Sequence, residues 1–105
     1  MEIRGTLVNI DGHTGGDPGP APAAAPLRIE IHPPYGRGSG STFARRLTVR
    51  NLDGAADLRV AFVGSSAYVR IPFGEERNFD GVITEFTVQS SAGDIEWEAT
   101  AVVAA

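Results

Sequence analysis

Few side chains in this chain have the type and spacing to do chemistry. Its two histidines are His13 and His32. His13 lies in the run Asp11-Gly12-His13-Thr14-Gly15-Gly16-Asp17, between two aspartates. A metal would sit there only if the loop folded tightly. Zinc normally draws on histidine and cysteine at set spacings, and cysteine is absent. Calcium needs more oxygen ligands than this run offers, and aspartates among glycines fit turn formation better. No metal and no other cofactor is expected. Ser65-Ser66 and Ser90-Ser91 fall at turns. A serine nucleophile needs a base and an orienting carboxylate, no spacing brings either histidine to them, and no Gly-x-Ser-x-Gly elbow occurs. Glu96 and Glu98 flank Trp97 and share one strand face. Paired carboxylates do acid–base work in glycosidases, but on an alternating strand they form the wet face and discourage edge aggregation. Gly36-Arg37-Gly38-Ser39-Gly40 has the glycines of a phosphate cradle without its setting. Such a loop must follow a strand and open a helix, whereas Pro33-Pro34 precedes this one and a β-like segment follows. It reads as a hairpin loop. The chain is therefore not expected to be an enzyme.

The basic residues concentrate at Arg37, Arg45, Arg46 and Arg50. Two readings stand: a solvated strand face paired with nearby carboxylates, or an electrostatic patch facing an acidic partner. Every one of the 9 basic residues is Arg, set against 13 acidic ones, for a net charge of −4. Arginine suits bidentate pairing at interfaces. The acidic balance argues against a nucleic-acid binder.

These residues must be positioned by strands. Leu58, Val60 and Phe62 alternate with Arg59, Ala61 and Val63. Phe86 and Val88 alternate with Glu85, Thr87 and Gln89. Ile95, Trp97, Ala99, Ala101 and Val103 alternate with Glu96, Glu98, Thr100 and Val102. A period of two sends one set to a core and the other to solvent. Trp97 accordingly anchors the core. The seams are Asn51-Leu52-Asp53-Gly54, Gly64-Ser65-Ser66, Asp80-Gly81 and Ser91-Ala92-Gly93-Asp94. Eight strands are expected, over 2–10, 27–32, 42–52, 58–64, 67–72, 77–79, 82–90 and 94–104. In the first, Leu7 and Val8 are both apolar, which suits a strand covered on both faces or at a subunit contact.

Residues 11–26 differ in character. Pro18, Pro20, Pro22 and Pro26 put four prolines into nine residues, blocking helix and interior strand and favouring polyproline II. The segment would extend roughly 25 Å at about 3.1 Å per residue. It reads as a surface loop or as an arm laid along a neighbouring subunit, where stiffness lowers the entropy cost of docking.

A chain of 105 residues fits one domain, 1–105, with 11–26 as its Gly/Pro/Ala-rich loop or arm. With 13 Gly, 7 Pro and no helical apolar stripe, the fold class is all-β. The expected architecture is an antiparallel β-sandwich of about eight strands, jelly-roll-like, with a small open β-barrel as the alternative. Without cysteine, stability rests on packing, strand pairing or partner subunits. No signal peptide and no apolar run long enough to cross a membrane are read in the sequence.

Leu47-Thr48-Val49-Arg50-Asn51-Leu52-Asp53-Gly54-Ala55-Ala56-Asp57-Leu58-Arg59-Val60-Ala61-Phe62 is similar to small β-sandwich virion proteins of tailed bacteriophages. So are Ile71-Pro72-Phe73-Gly74-Glu75, then Phe79-Asp80-Gly81, and then Phe86 to Gly93. In such proteins an Asn-Leu-Asp-like turn joins two strands, and an Ile-Pro-x-Gly-Glu turn and a Ser-x-Gly hairpin follow. The resemblance covers roughly 42–104. It implies a capsid decoration, or cement, protein that binds and stabilises the shell of major capsid protein. It also implies a virion location on the capsid surface after synthesis in the host cytoplasm. The partner would be the major capsid protein or another virion subunit, with no nucleic acid or membrane. A homo-oligomer is expected, a trimer matching threefold capsid positions. Pro18, Pro20, Pro22, Pro26, Arg37, Arg45 and Arg46 are the expected interface. The alternatives are a neck or tail accessory protein, or a carbohydrate-binding or adhesion module using outward aromatics such as Tyr35 and Tyr68.

Overall fold

The computed structural model describes residues 5–16, 18–31, 43–62 and 67–104. They form eight strands: β1 (Gly5–Gly12), β2 (Leu27–Glu30), β3 (Ala44–Asn51), β4 (Leu58–Phe62), β5 (Val69–Ile71), β6 (Glu76–Ile83), β7 (Glu85–Ser90) and β8 (Trp97–Ala104). Two antiparallel four-stranded sheets result, a front sheet β1-β8-β3-β6 and a back sheet β2-β7-β4-β5. β1 pairs with β8, β2 with β7, β3 with β6 and β4 with β5. One long hairpin rolled into two layers has this pairing, and it is the jelly-roll winding. The expected all-β sandwich is the observed fold.

The core follows from the alternation. On β8, Trp97, Ala99, Ala101 and Val103 point inward and are buried beneath the front sheet, beside Leu47 and Val49 of β3. The back sheet contributes Ile29, Phe86, Val88, Leu58, Val60 and Ile71. Full burial of a Leu, Ile, Val or Phe side chain contributes roughly 1.5–3 kcal/mol. Trp97 meets Phe86 of the opposite sheet edge to face, with ring centroids 6.2 Å apart and planes at 87°.

One seam differs from the sequence expectation. Asp80-Gly81 is not a hairpin turn. β6 continues through it to Ile83, and the chain bends at Thr84 to pass into the back sheet as β7. Gly81 has φ 142°, a backbone that side-chain-bearing residues rarely adopt, and it lies in a bulge. β3 advances from Ala44 to Arg46 while β6 moves from Ile83 to Asp80, so β6 holds the extra residue. The glycine serves strand bending rather than strand reversal. Of the other seams, Ser91-Ala92-Gly93-Asp94 turns as expected, with Gly93 at φ 69°. Residues 64–66 lie outside the described residues.

Asn51 explains the seam at 51–54. It is fully buried at the end of β3. Its amide nitrogen donates to the carbonyls of Ala56 (3.0 Å) and Ile71 (2.9 Å), and its side-chain oxygen accepts from the Asp53 N–H (2.9 Å). Its backbone also bonds with Glu75 and Gly74. One carboxamide thus joins the end of β3, the following loop and the end of β5 in the other sheet. Replacing it strips a partner from three backbone groups at once, in a place where burial makes that costly. Asn51→Ala is expected to destabilise the fold by about 2–4 kcal/mol, read as a lower urea midpoint in Trp97 fluorescence.

Candidate functional site

The outward face of the front sheet is built in rows across four strands. Asn9, Thr100, Thr48 and Asn78 form a neutral row, and the Thr48 hydroxyl donates to Asn78 Oδ1 at 2.6 Å. Asp11, Glu98, Arg50 and Glu76 form a charged row, with Arg50 between two glutamates. The row at the other end is Leu7, Val102, Arg46 and Asp80, and it mixes apolar and charged groups.

That last row is shaped by an irregularity in β3. Between Ala44 and Arg46 the strand advances two residues while β8 moves one, from Val103 to Val102, so Arg45 is extra. A strict period of two would turn one of Arg45 and Arg46 inward. The bulge lets both face solvent while Ala44 and Leu47 stay buried. Arg46 Nε donates to Asp80 Oδ1 at 2.9 Å. Arg45 has no ion pair among the described residues. A shallow depression of about 110 Å³ is lined by Arg45, Arg46, Asp80 and Val102. Two strongly exposed apolar side chains belong to the same end of the sheet, Leu7 at 67% and Val82 at 74%. Two arginines expected at an interface are therefore brought together with an apolar rim.

The sequence pattern did not single out Leu7, Val82 or Val102 as one patch. The doubled apolar pairs Leu7-Val8 and Val102-Val103 carried the signal, since one member of each must face out. Val82 carried none, because it followed a glycine that read as a turn.

The Pro/Ala segment is a strap across the end of the sandwich. It runs from the end of β1 in the front sheet to β2 in the back sheet. The Gly19 N–H donates to the Asp11 carbonyl at 3.0 Å. Ala21 exchanges two backbone bonds with Ile95, at 2.9 and 3.0 Å. The Ser90 N–H reaches the Pro22 carbonyl at 2.9 Å, and Gln89 Nε2 reaches that of Ala23 at 2.9 Å. The Trp97 indole donates to the Gly19 carbonyl at 3.0 Å. Pro18, Pro20 and Pro22 are half-buried, and Pro26 is exposed. Arg37 lies outside the described residues, as do Tyr35, His32 and the loop Gly36 to Gly40.

His13 stands among carboxylates of the end of β1 and around the start of β8. Its ring nitrogens lie 3.7 Å from Glu96, 3.9 Å from Asp11 and 4.0 Å from Glu98, all of them well exposed to solvent. Glu96 is already engaged by the Thr14 N–H at 3.0 Å, and Asp11 by the His13 N–H at 2.9 Å. Among the described residues no group of three or more such side chains is arranged to hold a metal. Asp17 lies outside the described residues. The Ser90 hydroxyl bonds Ala92 in its own turn, and the Ser91 hydroxyl accepts from the Asp57 N–H. Both serve turns.

The back sheet's outward face is charged. Arg28 donates two hydrogen bonds to Glu85, at 2.7 and 3.0 Å, and lies 2.9 Å from Glu30. The hydrogen bond to Glu85, then its charge and that of Glu30, raise the Arg28 pKa. Tyr68, half exposed, covers the Arg59 guanidinium at 5.0 Å from the ring centre.

Comparison with family models, with curated proteins and with solved structures finds no match to this chain.

The strap's bonds make a direct expectation. Ala21 is the fully buried strap residue bridged to Ile95. Ala21→Asp would place a carboxylate there without a partner and is expected to cost about 3 kcal/mol. Urea unfolding measures it, and a strap that is merely a detachable arm would tolerate the change.

Proposed function

We propose that this protein is a non-enzymatic structural component of a virion, a decoration protein that binds and stabilises the major capsid protein shell from its outer surface. The observation that carries the reading is the β3 bulge. It holds Arg45 and Arg46 outward together, with half-buried Val102 and exposed Leu7 and Val82 on the same sheet face, whose other side is the core. Arginine set among exposed apolar side chains is a composition found at protein-binding surfaces. The resemblance of residues 42–104 to small phage virion sandwiches supplies the partner class.

In this reading Arg45 is the group that meets an acidic site on the shell. Arg46 is already oriented by Asp80 and contributes less. Repetition of identical weak contacts over a symmetric shell supplies avidity, so each site can be small. A second reading, a glycan-binding module, draws on Tyr68 and on Phe73, exposed at 53% and 60% and both adjoining β5. A specific, reproducible hit on a glycan array would favour it.

The decisive measurement is co-sedimentation of the purified protein with empty shells of its cognate coat protein. Wild type is expected to bind in fixed stoichiometry. Arg45→Glu is expected to weaken binding at least tenfold, about 1.4 kcal/mol per site, with an unchanged urea midpoint. Absence of wild-type binding to shells, or full binding by the variant, would sink the reading.

A further inference from the structure

Each sheet has two edges, and three of the four are protected in recognisable ways. β6 carries Glu76, Arg77 and Asp80 and the bulge at Gly81. β2 has four residues, two of them charged, directly after Pro26. β5 has three residues, with Arg70 at its centre and Pro72 after it. Short length, charge, proline and bulges are the ways edge strands avoid pairing with other chains. β1 has none of these over most of its length. It runs eight residues, and from Gly5 to Ile10 it holds neither charge nor proline.

The strap marks where this open edge stops. Gly19 bonds the Asp11 carbonyl on the side away from β8. The backbone groups of Asp11 therefore point outward, and by alternation so do those of Asn9, Leu7 and Gly5. The strap takes the Asp11 carbonyl, and among the described residues nothing pairs with the other three along the edge.

We propose that β1 pairs antiparallel with β1 of a second copy of this chain, about a twofold axis at Leu7. In that register Leu7 faces Leu7 of the other copy, and Gly5 faces Asn9. The three outward-pointing residues then form about six interchain hydrogen bonds, two per bonded pair. On the outer face the row becomes Val102, Leu7, Leu7, Val102, an apolar stripe continuous across the axis, which accounts for a leucine 67% exposed on a polar face. Charge selects the same occupant. Two copies of a chain with net charge −4 approach most easily where neither presents charge, and Gly5 to Ile10 is such a stretch. The strap also keeps Asp11 outside the paired length. The two front sheets become one, and the two Arg45–Arg46 patches share a single broad face. The pairing stands whether or not the partner of that face is a virion shell. An edge contact buries less than the ~1,600 Å² of a standard interface, so the dimer is concentration-dependent.

Sedimentation equilibrium of the full chain, from low micromolar to millimolar concentration, reads the association. Wild type is expected to pass from monomer to dimer. Leu7→Lys, which sets two cations face to face, is expected to stay monomeric. So is Asn9→Pro, which removes one outward N–H without touching the β8 ladder. Urea midpoints close to wild type show that both variants remain folded. Register is read separately, because the chain has no cysteine. Leu7→Cys is expected to link the two copies through a short thiol–thiol cross-linker, since facing residues of a bonded pair lie about 5.5 Å apart. Asn9→Cys is expected not to link, since its copies are displaced by roughly 13 Å along the strands. A wild-type monomer at every concentration overturns the proposal. So does a dimer that survives both Leu7→Lys and Asn9→Pro, cross-linking through Asn9→Cys in place of Leu7→Cys, or capture of the edge by a strand of another protein while the chain itself stays monomeric.

Discussion

The edge-to-face contact of Trp97 with Phe86 is the point on which the sandwich turns. Trp97 belongs to the front sheet and Phe86 to the back, and both are fully buried. The indole N–H cannot be left unpaired in that position, and the Gly19 carbonyl supplies its acceptor. Directly across the β1–β8 pair is Gly12. A Cβ at Gly12 would collide with the indole, so a large ring here requires glycine opposite it. One side chain therefore joins two sheets, dictates a residue of β1 and fixes the strap over the end of the core.

The strap follows from the same contact. A segment with four prolines in nine residues cannot enter a sheet interior, and left free it would have little reason to stay on the surface. Its prolines limit the conformations available to the unfolded chain, which lowers the cost of holding it in place. The amides and carbonyls of Gly19 and Ala21 and the carbonyls of Pro22 and Ala23 meet partners on the body. The stiffness that would help an arm dock on a neighbour serves here to dock it on its own domain.

Much of this was legible in the residues. The alternation from Ile95 to Val103 foretold both the strand and its buried face, and Trp97 was placed correctly by its neighbours at a period of two. The eight-strand sandwich followed from such runs and the turn residues between them. What escaped was non-local. Asp-Gly is a strong hairpin signal, yet Gly81 serves a bulge, because β3 supplies a partner strand that continues past it. The Arg45 bulge needs the registers of both β8 and β6 to be seen. The strap's attachment joins residues 78 positions apart, and no local pattern encodes it. Asn51 read as a turn residue. Its role in tying β3 to β5 depends on carbonyls that only the rolled topology brings near.

The candidate surface shows the same division between local pattern and global register. Arg45 and Arg46 are adjacent in sequence, and adjacent strand residues ordinarily face opposite ways. A bulge at that spot shifts the inward pattern by one residue, so the core keeps Ala44 and Leu47 while solvent receives both arginines. The cost is a break in the ladder that would gain nothing in a strand built for packing alone. Leu7 on the same face adds an apolar side chain to solvent, again without benefit to the core. Two local departures from the most stable arrangement, meeting in one row of one sheet, are what a surface selected for contact with another molecule would carry.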